Sequence, residues 1–307
     1  MSDPSASRPA VAVVHDRLRE EERLLFAAFE RAGATVERIY APAWRWEAGA
    51  RRHAGQVVLL RTLSHARTAA LARMLEADGA RVVNAASVIE TCGDKTATSA
   101  ALAAAGVPQP RTVVAFGADE VLAACDDLGW PVVLKPVVGS WGRMVARCRD
   151  VDAVEALLEH KQVLGGPSHQ VFYLQEHIDK PGRDLRAFVV GDRVIAAIAR
   201  EGDDWRTNTA RGAVVRGVAL DDALRQVALA AARAVGGGVL AVDLLESERG
   251  LLVSEVNHGT EFRNSSAPTG VDIAAEVVAH LLALAREGGT PAAAAGRPNE
   301  ASLAAVS

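Results

Sequence analysis

Ser254-Glu255-Val256-Asn257 and, twelve residues before Glu255, Asp243 bring two carboxylates and one amide oxygen to the ends of two expected strands. Side chains two apart in a strand share a face, so Glu255 and Asn257 can address one ion while Val256 points into a core. A small set of hard oxygen donors suits Mg2+, which keeps its other positions for water and phosphate oxygens. Asp243 must arrive from the neighbouring strand. Plain pairing of Glu246 with Leu251 sets Asp243 across from Ser254, on the wrong face. A three-residue loop with Gly250 as a left-handed bulge moves the register by one and brings Asp243 beside Glu255, so a bulge is predicted at Gly250. The plainer reading of the three residues is a polar strand face open to water.

Other residues carry complementary charge. Lys135 ends the apolar run Val132-Val133-Leu134 and precedes Pro136 and the loop Gly139-Ser140-Trp141-Gly142-Arg143. There a lysine can neutralise phosphate oxygens while small residues let backbone N–H groups approach them, although the same pattern also describes an ordinary strand exit. Lys95 stands at a helix start, where its charge opposes the helix dipole; a nearby anion would repair that, and a solvated surface lysine is the alternative. Gln175-Glu176-His177-Ile178 leaves an apolar strand as extended backbone that can read an adenine edge, with Glu176 or a neighbour placed for ribose hydroxyls. Asp184 and Arg186 open a hairpin, Arg200 closes it, and Asn208 and Arg211 lie in the polar loop that follows. Arg200 and Arg211 have the planar fork suited to a carboxylate or a moving phosphoryl group, or to an exposed ion pair. His258 follows the oxygen triplet but is a poor ligand for a hard ion. No GxGxxG loop or Walker A motif is present, and no residue stands out as a general base.

The elements that must position these groups follow from periodicity. Val11–Val14, Val36–Tyr40, Val57–Leu60 and Arg81–Val83 read as strands alternating with helices at Arg19–Arg31 and Ala66–Ala77, which implies a small parallel sheet over residues 11–92. Asp94 caps a helix from Lys95 to Ala105, and a mixed lobe over residues 93–170 follows, with strands at Arg111–Ala115, Val132–Lys135 and Arg143–Cys148 and helices at Asp119–Leu128 and Val151–Glu159. Residues 171–286 carry two hairpins, Leu185–Ala199 and Val239–Asn257, with helices at Asp222–Val235 and Asp272–Ala285. Residues 1–10 and 287–307 are expected to be disordered. The fold class is therefore α/β and α+β, with an N-terminal parallel-sheet domain.

Composition excludes several alternatives. With 307 residues, 50% of them hydrophobic, the chain suits two or three compact lobes. A net charge of −4 offers no general attraction to nucleic acid or an anionic membrane. The 3 cysteines are odd in number and widely spaced, against both a disulfide framework and a zinc site. No run of about 18 apolar residues and no signal-peptide pattern occurs, so cytoplasmic residence is expected.

Taken in order, Lys95, Lys135-Pro136, the loop from Gly139, Gln175–Ile178, Asp184-Leu185-Arg186, Asn208, Arg211, Asp243 and Glu255-Val256-Asn257 resemble the ATP-grasp carboxylate–amine ligases. More closely they resemble the RimK-related, LysX-type branch, which attaches an amino acid to the C-terminal glutamate of the small carrier protein LysW. The resemblance covers about residues 10–285. It implies a three-lobed ATP-grasp fold with ATP gripped between the second and third lobes. It further implies that Lys95, Lys135, the loop Gly139, Ser140, Trp141, Gly142 and Arg143, the hinge Gln175, Glu176, His177 and Ile178, and Asp184, Arg186, Arg200 and Asn208 contact ATP. Asp243, Glu255 and Asn257 match its ligands for Mg2+, two ions being expected, and Arg200 and Arg211 its catalytic arginines. Arg186, Asn208, Arg211, Asn264 and Ser265 fall at its substrate positions. Asn264-Ser265 resembles the branch that ligates 2-aminoadipate for lysine biosynthesis, whereas the glutamate-ligating relatives look like Gly-Phe there; Gly259-Thr260 departs from the flanking pattern. The implied partners are an amino acid and a small acidic LysW-like carrier, with neither nucleic acid nor membrane, and relatives commonly form homo-oligomers. A glutamate or RimK-like peptide ligase, and a nucleotide-binding regulatory module without turnover, are the competing readings.

Overall fold

The computed structural model of the chain describes residues 9–139, 143–166, 170–202, 204–205, 207 and 213–287. Ser140, Trp141, Gly142, Asn208 and Arg211 lie outside the described residues, as do residues 1–8 and 288–307 of the expected disordered ends. Residues at both expected disordered ends are ordered: the Pro9 carbonyl accepts a hydrogen bond from Gln56 Nε2 at 2.8 Å, and Glu287 closes the last helix.

The first unit runs β1 (Val11–His15), α1 (Glu20–Arg31), β2 (Glu37–Tyr40), β3 (Val57–Arg61), α2 (His65–Ala77) and β4 (Arg81–Val83). Its strands are all parallel, in the order β2-β1-β3-β4. β1 and β3 are buried along their whole length, as a parallel sheet covered on both faces requires. A helix that the strand-and-helix reading passes over, α3 (Ala86–Gly93), buries Ala86, Val88, Ile89 and Cys92 at helical spacing. Asp94 ends it and also caps α4 (Lys95–Ala104), accepting from the Thr96 and Ala97 N–H groups.

The middle sheet is antiparallel, with the order β5-β8-β6-β7. It comprises β5 (Thr112–Ala115), β6 (Val132–Lys135), β7 (Ala146–Cys148) and β8 (Phe172–Glu176), with α5 (Ala118–Leu128) and α6 (Val151–Leu164) packed on it. The sequence reading opens the third lobe at residue 171, whereas β8 hydrogen-bonds to β5 and β6 inside the middle sheet. The chain therefore leaves this sheet after Glu176.

The third sheet, of order β11-β10-β9-β12-β13, is also antiparallel. It is built from β9 (Arg183–Val190), β10 (Arg193–Glu201), β11 (Val214–Gly217), β12 (Val239–Ser247) and β13 (Gly250–Asn257). α7 (Asp222–Ala234) covers one face together with α3 and α4, over Leu185, Ala187, Leu240, Val242 and Val256. On the other face Phe188, Val190, Ile198 and Ala241 share a core with β1, α1 and α9 (Ile273–Glu287), so the first and third units are packed as one body. A single turn, α8 (Ser266–Thr269), precedes α9. No helix of the described residues is long and apolar enough to cross a membrane.

Candidate active site

The face of β9, β10 and β12 that is apolar over Phe188, Ile198 and Ala241 turns polar as the strands continue. Ile198 pairs with Arg186, Arg200 with Asp184, and Asp243 with both Arg186 and Glu255. Cross-strand partners share a face, so Asp184, Arg186, Arg200, Asp243 and Glu255 line one patch, with Asn257 two residues beyond Glu255.

The register shift that the metal geometry demands is present, but not at Gly250. Gly250 pairs with Ser247 and Leu251 with Glu246; the shift falls between Leu244↔Val253 and Asp243↔Glu255, leaving Ser254 as the extra residue. Gly250 does adopt φ +88°, where glycine is the favoured residue. The bulge moves because apolar positions dictate it: Val253 and Val256, three residues apart, both enter the core beneath α7, which an unbroken alternation cannot achieve.

Charge runs across the patch as a ladder of alternating sign. Lys180 Nζ lies 3.4 Å from Asp184 Oδ2, Arg200 Nε 2.6 Å from Asp184 Oδ1, and Arg200 Nη2 3.2 Å from Asp243 Oδ2. Arg186 closes the ladder with two donors on Asp243 at 2.7 and 2.8 Å. Thr207, which the sequence reading does not single out, donates its hydroxyl to Asp184 at 2.5 Å and accepts from Lys180 at 2.6 Å. Burial alone would raise the Asp243 carboxyl, but Arg186 and then Arg200 outweigh it and bring the pKa down to about 2. Arg200, deeply buried, is nonetheless pushed above its ordinary value by Asp243 and Asp184.

Two lysines face this patch across a cleft. Lys95 Nζ donates to the Gly139 carbonyl at 2.9 Å and lies 3.1 Å from Glu255 Oε1. Lys135 Nζ donates to Gln175 Oε1 at 2.6 Å, and Gln175 is in turn held by Thr112 and the Tyr173 hydroxyl. Desolvation lowers the Lys135 pKa to about 8, with Glu255 opposing the shift and Lys95 adding to it. Gln175 is only 2% exposed, and from the cleft wall its side chain orients Lys135. Glu176 is likewise engaged, accepting from the Arg111 N–H at 2.6 Å and from the Arg249 guanidinium.

The cleft between the middle and third sheets encloses about 370 Å³. Lys95, Lys135, Gly139, Arg143, Gln175–Ile178, Asp184, Arg200, Asp243 and Glu255 line it, as does Lys180 from the same hinge segment, with Trp205 as an addition that sequence patterning does not flag. A second cavity of about 700 Å³ continues from it, the two sharing Gly139, Arg143, Arg200 and Glu255. Arg186, Asn257, His258, Asn264 and Ser265 line the second cavity, together with Arg61, Thr62 and His65 from the N-terminal unit. Asn84 fixes this junction: its amide donates to the carbonyls of Val239 and His258 and accepts from the Val239 N–H.

Among the described residues no group of three or more His, Cys, Asp and Glu could hold a metal ion. Two carboxylates in register and an amide oxygen are nevertheless a hard donor set of the kind Mg2+ accepts beside phosphate oxygens. Each carboxylate is neutralised by cations of the chain itself, Glu255 by Lys95 and Asp243 by Arg186 and Arg200. Asn257 Nδ2 is buried without a hydrogen-bond partner among the described residues. The donor set therefore fits Mg2+, provided that the ion arrives with a polyanion able to take over the released cations.

Family models match nearly all of the described chain, a LysX preATP-grasp domain over residues 11–91 and a RimK-like ATP-grasp domain over residues 92–281. An α-aminoadipate–LysW ligase from Sulfolobus acidocaldarius is 39% identical over 211 residues, covering 68% of this chain and 76% of that protein. A glutamate–LysW ligase from the same organism is 30% identical over 274 residues, covering 88% and 97% respectively. The crystal structure of a RimK domain ATP-grasp protein from Sphaerobacter thermophilus superposes with a TM-score of 0.75 at 30% identity, over 90% of this chain and 100% of that one.

Proposed function

The chain belongs to the RimK-like ATP-grasp ligases, and from that premise we propose that it joins 2-aminoadipate to a LysW-type carrier protein at the expense of ATP. It is an ATP-dependent carboxylate–amine ligase, and its relatives name LysW as the protein they act on. In the proposed reaction a carboxylate of the carrier's C-terminal glutamate attacks the γ-phosphorus, ADP leaves, and an acyl phosphate forms. The α-amine of the amino acid then attacks the acyl carbon and inorganic phosphate departs.

The chain's own residues supply position and charge. Lys95 and Lys135 face the phosphates, Glu176 to Ile178 border the base and ribose, and Arg200, at the junction of the two cavities, faces the transferring group and the acyl acceptor. Asp243, Glu255 and the amide oxygen of Asn257 would hold Mg2+, whose chemistry there is to draw charge from the phosphate oxygens. Sharing of Glu255 and Arg200 between the cleft and the second cavity is the observation that carries this reading, because it brings a nucleotide site and an acceptor site to a common wall.

The preference for aminoadipate rests on Asn264 and Ser265, which line the second cavity next to Arg263. Competition between 2-aminoadipate and glutamate for a LysW-type carrier, read from the mass of the ligated product, tests it. Aminoadipate should dominate; product containing only glutamate would reassign the substrate while leaving the ligase reading intact.

A further inference from the structure

Buried polar groups without partners are costly, and of the six such side-chain atoms among the described residues three gather at one cavity. Arg61 Nη2, His65 Nδ1 and Asn257 Nδ2 are buried, make no hydrogen bond among the described residues, and belong to residues lining the same second cavity. Arg61 is only 5% exposed. Its guanidinium is oriented from behind: Nε donates to Glu22 Oε1 at 2.9 Å and Nη1 to the Thr260 carbonyl at 2.8 Å, which leaves Nη2 as the free arm. Glu22 is itself shared with Arg19, whose Nη2 lies 2.8 Å away, so the pair Glu22 and Arg61 is not free to rotate.

His65 is placed as tightly. A Cβ on Gly93 would fall 1.8 Å from His65 Cε1, so only glycine at that position lets the imidazole lie against α3. The ring sits 5.7 Å from that of His258 and begins α2, whose N-terminal N–H groups add a favourable field for an anion. Burial pulls the Arg61 guanidinium below its ordinary pKa even though Glu22 opposes the change, so an incoming anion relieves a desolvated cation.

Resting on the ligase reading, we infer that Arg61, supported by His65, receives a carboxylate of the amine substrate in the second cavity, making the N-terminal unit part of the selection for an acidic amino acid. Arg61 is a carboxylate-binding residue in this account and takes no part in the chemical step. Glu22 offsets part of its charge and fixes its direction, and the ligand supplies the partner that Nη2 lacks.

Kinetics of Arg61→Met, Arg61→Lys and His65→Asn test this with carrier and ATP saturating. For Arg61→Met the KM for the acidic amino acid should rise about 10- to 100-fold, as expected for a lost charge-assisted contact, with the KM for ATP changed less than about twofold. Arg61→Lys should recover part of the loss, and His65→Asn should show a smaller rise of the same kind. Two analogues identify the carboxylate: one with the side-chain acid replaced by its amide, one lacking the α-carboxylate. Discrimination against one of them should collapse in Arg61→Met. Equal rises in KM for ATP and amino acid, or unchanged discrimination against both analogues in a folded variant, would overturn the inference. Should Arg61→Met fail to fold, Arg61→Lys and His65→Asn carry the same readouts. Calorimetric titration of the acidic amino acid into the full chain separates this claim from the ligase reading. Binding weakened by Arg61→Met supports it even without ligation, and no binding to the unaltered protein refutes it.

Discussion

The cleft proposed for the nucleotide and the cavity behind it share a wall but differ in how completely their cations are partnered. Lys180 and Arg200 in the cleft, and Arg186 on the wall behind it, alternate with Asp184 and Asp243, while Lys95 meets Glu255 and Lys135 meets Gln175. In the second cavity Arg61 is paired with Glu22 on one side only, and its Nη2 and the Nδ1 of His65 have no hydrogen-bond partner among the described residues. The difference follows from what each would receive. A polyanion accompanied by a cation can exchange with internal ion pairs, carboxylates passing to the metal and lysines to the phosphates, so that no charge is stranded. A single carboxylate brings no cation to exchange, so its site needs donors already free. Preorganisation thus takes two forms within one active site.

The largest expected effect tests whether exchange is needed. Glu255→Gln keeps the shape but removes the charge that Lys95 and the metal would share, so kcat should fall by about 10³-fold or more with the thermal transition retained. Undiminished activity would take Glu255 out of the site. Asp243→Asn leaves Arg186 and Arg200 facing each other without a carboxylate between them; stability should drop by about 3–5 kcal/mol, read by denaturant titration, in addition to the loss of turnover. A drop confined to turnover would mean that the ladder is functional only.

Proton linkage gives a subtler test of the cleft. Burial holds Lys135 at about 8, so near pH 8.5 a large share of it is neutral. Phosphate binding favours the ammonium, and ATP binding at that pH should therefore take up protons, seen as a buffer-dependent binding enthalpy that Lys135→Arg abolishes. For the second cavity the titrating group is His258, pulled down to about 4 by desolvation first and then by His65 and Arg61. The unfolded chain binds this proton near the ordinary 6.5, so the contribution is present above that pH and is lost as pH falls toward 4, amounting to no more than about 3 kcal/mol. His258→Asn should reduce the fall in stability between pH 6.5 and 4, leaving the part due to His15, His177 and His280, which burial also lowers. Asp243, protonating only near pH 2, does not interfere there.

How much of this was legible in advance varies with the kind of signal. The strands and helices of the first unit follow their periodicity within a residue or two, since β1 and β3 are continuous apolar runs and α1 is amphipathic. Lys95, Lys135, Asp243 and Glu255 were legible because their order and spacing are unusual, and they do meet across one cleft. Glycine is the obvious mark of a bulge and draws the expectation to Gly250, whereas the extra residue is Ser254. The clue at Ser254 was the three-residue step from Val253 to Val256, visible only once both are known to enter one core. Arg61, His65, Asn84 and Gly93 gave no local signal. Each is an ordinary residue in an ordinary element, and its meaning comes from a neighbour far along the chain, such as Thr260, 199 positions from Arg61.

The residues proposed for the phosphate side were thus legible in the sequence alone, because carboxylates, lysines and an amide at strand ends remain recognisable without coordinates. Only the tertiary structure assembles the second cavity, where we propose that the amino acid is received. That cavity is assembled where the C-terminal end of β3 and the start of α2 meet β13 and the segment after it, and a site made of residues this distant exists only after the first and third units have packed on their common core.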